Sequence, residues 1–172
     1  VLDRRFDLGV TDRDPRHPRI DAERMGQEGL CLVMPAGSPG PVPFSDLEAL
    51  GLIDHPDCHH YAGDLLALNL SDDFDGADRL RVRRRVNQIC QVTAPVAQGV
   101  GYTLLPRRGL AAFADTNRLR NAALPDRRHH ERWSIMPHGH PLSAGWTVSK
   151  HRSARLAPTW NYRMDQSYHI IA

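Results

Sequence analysis

A chain of 172 residues can bury one ordinary core or two smaller ones joined by a linker. Its 41% hydrophobic and 24% charged residues, with 13 each of Gly and Pro, set it among globular proteins and apart from disordered or fibrous ones. The 22 basic side chains are offset by 20 carboxylates to a net charge of +2, which argues against the basic excess of a DNA-binding domain.

The three cysteines, Cys31, Cys58 and Cys90, are widely spaced and odd in number, so they point to neither a disulfide framework nor a zinc ribbon, and a reducing cytoplasm is the expected location. The first six residues lack the apolar stretch and cleavage site of a signal peptide, and no run of about 18 apolar residues follows. The chain lacks an initiator Met, consistent with a start inside a longer protein.

In chain order, Phe6-Asp7-Leu8-Gly9-Val10-Thr11 alternates with period two and reads as a strand ending in the turn chemistry of Asp12-Arg13-Asp14-Pro15. Leu30-Cys31-Leu32-Val33-Met34 is a continuous apolar run stopped by Pro35, the pattern of a strand buried on both faces. Ser45-Asp46-Leu47-Glu48 reads as a capping box with Phe44 at the staple position, so a helix is expected from Ser45. Leu52-Ile53-Asp54 follows as a short strand, residues 55–60 as the loop at its end, and residues 61–70 as a helix.

In the stretch 79–86, Leu80 and Val82 share one parity while Arg81, Arg83 and Arg85 share the other; this reads as a strand whose arginines either bind an anion or coat a solvent face. Ile89, Val92 and Val96 follow helical spacing to Gly99, with Pro95 expected to kink that helix or limit its start. A strand at 102–106, a helix at 108–114 and a last strand at 132–137 complete the series, and a terminal helix is expected from Leu142. This alternation predicts an α/β fold with parallel sheets and ligand loops at the carboxyl ends of the strands.

Four of these blocks, Phe6-Asp7-Leu8-Gly9-Val10-Thr11, Leu30 to Pro35, Phe44-Ser45-Asp46-Leu47 and Val96-Ala97-Gln98-Gly99-Val100-Gly101-Tyr102-Thr103-Leu104-Leu105-Pro106, resemble successive blocks of LysR-type transcriptional regulators, across about residues 2–143. The resemblance implies a bacterial, cytoplasmic effector-binding domain of two Rossmann-like α/β lobes of the type 2 periplasmic-binding-protein kind, joined by two crossover strands near 33–36 and 133–136. Residues 1–36 would be part of an incomplete lobe one, 37–130 lobe two, 131–157 the return to lobe one and 158–172 an unassigned tail. It also implies a small-molecule effector bound between the lobes, a dimer or tetramer of the intact protein, and DNA contact only through a winged helix-turn-helix outside this chain. No cofactor, metal, membrane contact or catalysis is implied.

Three loops are candidates for the effector. Thr11, Asp12 and Arg13 follow the first strand, where the resemblance places one wall of the effector cleft and where a plain turn capped by Asp12 is the alternative. His55, Asp57, His59 and His60 follow the strand at 52–54; their imidazoles suit a carboxylate or a pH response, and the alternatives are surface imidazoles or a metal site. Asn87, Gln88 and Thr93 open the next helix, where a side-chain amide can donate and accept, or where Asn87 acts as an N-cap. A transporter's solute-binding protein is the first rival reading and a metal-dependent hydrolase built on the 55–60 loop the second. No serine nucleophile elbow, Walker loop or H-E-x-x-H motif occurs.

Overall fold

The apolar run at 30–34 forms part of a longer strand, β2 (Ile20–Pro35), in a computed structural model that describes residues 1–3 and 6–139. The chain divides by internal packing into two compact units, Val1–Gln27 with His130–Ala172, and Glu28–His129.

In the unit Glu28–His129, β2 is followed by α1 (Phe44–Leu50), β3 (Leu52–Asp54), α2 (Cys58–Asn69), β4 (Val82–Arg85), α3 (Thr93–Ala97), β5 (Thr103–Pro106), α4 (Arg107–Ala111) and β6 (Leu119–Asn121). Strands β3 and β4 pair in parallel, and a parallel bridge joins Leu52 of β3 to Tyr102 beside β5. Strand β2 runs antiparallel to β5, from Leu30 opposite Pro106 to Val33 opposite Thr103, and antiparallel to β6, where Val33 faces Asn121. The mixed α/β class is as expected, whereas all-parallel pairing is corrected. Helical crossovers impose the parallel direction only on strands they join, and β2 enters from outside that series.

Alternation along these strands builds a core on both faces of the sheet. Leu30, Leu32, Met34, Leu52, Tyr102 and Leu104 point to the face covered by α1 and α2, where Leu47, Leu65 and Leu66 meet them. Cys31, Val33, Ile53 and Leu105 point to the other, with Val92 and Val96. This two-sided cover explains why 30–34 is apolar without interruption. Each fully buried Leu or Val contributes about 1.5–3 kcal/mol.

Local signals were partly overruled. Helix α1 begins at Phe44 behind Pro43, whose φ of −69° and ψ of 154° already direct the chain into the helix, and no side chain caps it. Ser45 therefore lies inside the helix and the expected capping box does not form. Phe44 packs edge-on against Phe74, with ring centroids 6.1 Å apart. Pro95 is the third residue of α3, where the first-turn amides lack intrahelical acceptors, so it fits without a kink; a 3-10 turn at Ile89–Gln91 precedes the helix. Gly99 ends this segment at φ +78°.

The arginines of the β4 region do more than coat a solvent face. The Arg81 guanidinium donates to the carbonyls of Glu48 and Ala49, at 3.2 and 3.3 Å, and that of Arg83 donates to those of Leu50 and Val100, at 2.9 and 3.3 Å. Two cations thus satisfy carbonyls at the C-terminal end of α1, where the helix dipole favours them. Arg118 does the same for Ala97 of α3, at 3.1 Å.

In the other unit, β1 (Gly9–Thr11) pairs antiparallel with β7 (His129–Pro137), Thr11 standing opposite Trp133, and β7 lies beside β2. Side chains fasten the strands: Arg24 meets Glu131 at 2.9 Å, the Trp133 indole donates to Glu131 at 2.9 Å, and His138 meets Asp21 at 2.7 Å. The terminal helix expected from Leu142 lies outside the described residues.

Candidate functional site

Within Glu28–His129, the crossover through α2 carries the chain outward from β3 to β4, and the next returns it past β3 to β5. The neighbours β3 and β5 are therefore linked to elements on opposite sides. At such a reversal the loops diverge and leave a crevice at the carboxyl ends of the strands. Asp54 and His55 from β3, Val86 to Gln88 from β4, and Leu105 and Pro106 from β5 come to that edge; the Val86 amide donates to the Asp54 carbonyl at 2.9 Å.

His55 spans the reversal. Its Nε2 lies 2.8 Å from the Leu104 carbonyl. A carbonyl can only accept, so Nε2 carries the proton and Nδ1 is the lone-pair nitrogen. The residue is 4% exposed, and among the described residues no protein atom bonds Nδ1. Burial lowers the imidazole's pKa below its ordinary value, against the Leu104 carbonyl and the charges of Asp57 and Asp54, which raise it. The Thr103 hydroxyl donates to the Ile53 carbonyl at 2.9 Å, and Cys58 Sγ lies 3.9 Å from each of those two groups. Burial pushes the Cys58 thiol up to about 11, so it is a packed thiol and not a nucleophile.

The expected loop at 55–60 is shorter than read. Helix α2 starts at Cys58, so His59 and His60 lie in its first turn, while Asp57 is the N-cap with no side-chain capping bond. Each imidazole has a different environment. His59 sits between carboxylates, Nε2 3.6 Å from Asp54 and Nδ1 3.4 Å from Asp78, and Asp54 in turn meets Arg85 at 3.2 Å. His60 is exposed, its ring 6.0 Å from that of Tyr61.

Asn87 and Gln88 are exposed; Gln88 is the residue before the 3-10 turn, and its side-chain Oε1 accepts from the Gln91 side-chain Nε2 at 2.6 Å. Thr93 is 1% exposed at the start of α3. Thr11 ends β1, its hydroxyl 3.5 Å from Asp12, and Arg13 lies 3.7 Å from the same carboxylate.

Sequence reasoning missed Asp54 and Asp78 as partners of His59, Arg85 as the partner of Asp54, and also Glu28, a 7% exposed carboxylate that accepts from the Arg108 backbone amide at 2.8 Å. The available signal was a carboxylate at the end of an otherwise apolar strand, Asp54 after Leu52-Ile53. Buried charges require partners, so such a residue announces some.

The LysR substrate binding domain profile matches residues 1–157, and the chain belongs to that family. Solved structures share its fold. The regulatory domain of CrgA, a LysR-type transcriptional regulator from Neisseria meningitidis, is 9% identical, with 90% of this chain and 76% of that one covered and a TM-score of 0.69. The Corynebacterium glutamicum OxyR C206 mutant is 16% identical, with 90% and 49% covered and a TM-score of 0.65. The Synechocystis PCC6803 CcmR regulatory domain in complex with 2-PG is 15% identical, with 92% and 76% covered and a TM-score of 0.61. The chain thus spans about half of the OxyR chain. No curated protein matches it. Among the described residues no helix is long and apolar enough to cross a membrane.

Proposed function

We propose that this domain senses a small metabolite at the carboxyl edge of β3, β4 and β5, through the 55–60 segment and Asn87, Gln88 and Thr93. Thr11, Asp12 and Arg13 supply a further contact loop. The observation that carries the reading is the reversal of crossovers at β3 and β5, which delivers two helix-opening segments to one edge. The bound 2-PG of the CcmR regulatory domain is the precedent for a small effector on this fold.

The intact protein acts in the cytoplasm as an oligomer, contacts DNA through a helix-turn-helix, and performs no catalysis. Lobe two comprises residues 37–130, and lobe one residues 1–36 with 131–157. Regulation follows from a difference in effector affinity between two arrangements of the protein. A thermal-shift screen of central metabolites on the 172-residue chain tests the reading. A true effector at about 100 times its Kd adds about 2.7 kcal/mol to stability. Absence of any stabilising metabolite across the panel would count against it.

A further inference from the structure

The β3–α2 turn combines two features that point to one kind of ligand group. Helix α2 spans Cys58–Asn69, long enough to carry a useful dipole, and its N-cap Asp57 makes no side-chain capping bond. A group able to accept hydrogen bonds is favoured there. Beside it stands His55, which precedes Asp57 by two residues, whose carbonyl accepts from the Cys58 amide at 2.9 Å and whose ring lies 5.8 Å from that of Tyr61 in the first turn of α2.

The Leu104 carbonyl fixes Nε2 as the protonated nitrogen. The other nitrogen, Nδ1, is therefore an acceptor with no protein donor among the described residues. An unsatisfied buried acceptor is costly, and a donor that reaches it gains correspondingly. A bare carboxylate cannot serve, since it offers only lone pairs.

We infer that this turn receives a hydroxyl of the effector, which donates to His55 Nδ1 and accepts at the N-terminus of α2, so that the effector is a hydroxylated metabolite such as a hydroxy acid. The inference rests on the sensor reading above and specifies its ligand class. His55 thereby changes role: one nitrogen positions the turn against β5 and the other selects for a ligand donor. Because Nδ1 is covered, entry of the hydroxyl requires a local rearrangement around His55.

The test uses two probes that differ by one hydroxyl, glycolate and acetate, titrated into the full chain and followed through the imidazole 15N resonances. Glycolate is expected to move the His55 Nδ1 signal and to bind about tenfold more tightly than acetate. His55→Leu removes the Nδ1 acceptor and introduces no other, so it should bind the two probes equally. If Leu disrupts folding, the wild-type spectra alone decide the matter. Equal response to both probes, or a His55 signal unmoved by glycolate, overturns the inference. In that case, stabilisation by some other metabolite in the thermal-shift panel would leave the sensor reading standing.

Discussion

Replacing Gly101 by Ala is expected to destabilise the Glu28–His129 unit by about 2–4 kcal/mol. The φ of Gly101 is not in the left-handed region, so backbone strain is not the cause. A methyl there would lie 2.5 Å from the Gly51 carbonyl oxygen and 2.8 Å from Cδ1 of Ile53. Neither neighbour can withdraw freely: the Gly51 carbonyl accepts from the Tyr102 amide at 2.9 Å, and Ile53 is fully buried with its amide donating to the Tyr102 carbonyl at 2.7 Å. Overpacking of this kind costs about 1–3 kcal/mol, and weakening the bond to Gly51 adds about 1 kcal/mol. Urea unfolding followed by far-UV circular dichroism measures the loss as a lower midpoint at unchanged slope. Stability within about 0.5 kcal/mol of wild type would refute the close-contact account, since that is the range of a surface change.

Acid should weaken the domain through His55. Its folded pKa lies below the ordinary 6.5, so the unfolded chain takes up a proton first as pH falls. This contribution is complete above 6.5 and is lost progressively toward the lower folded value; the His55→Gln variant should show a flatter dependence of urea midpoint on pH. Arg83→Met, which removes the donor to Leu50 and Val100, should cost about 0.5–1.5 kcal/mol by the same unfolding assay, whereas Arg84→Met, exposed in the same strand, should cost less than about 0.5 kcal/mol. A thiol reagent should modify Cys90 rapidly in the native protein and reach the buried Cys31 and Cys58 only in denaturant, since burial raises the pKa of both.

Legibility in the sequence followed the range of the forces involved. The run 30–34 announced a strand covered on both sides, and Leu52-Ile53-Asp54 announced a short strand, because the period of apolar residues reflects which faces are covered. The block from Val96 to Pro106 was legible too, and its glycines have a physical reason: Gly99 takes a positive φ and Gly101 leaves room for the Gly51 carbonyl. The capping box at Ser45 failed because Pro43 set the helix entry two residues earlier. The start of α2 was misjudged because histidines carry no strong helix signal, and only packing of Cys58, Ala62, Leu65 and Leu66 draws that turn into the helix.

The sequence by itself determined the α/β class, the order of most elements and the position of the loops, all of which depend on residues a few places apart. Tertiary structure alone decided that β2 runs against β5, that Arg81 and Arg83 serve the end of α1, and that His59 stands between Asp54 and Asp78. It also decided the tautomer of His55, through a carbonyl 49 residues away in the chain. Side-chain chemistry lists the bonds a residue can make, and only the packing of distant segments selects the partner.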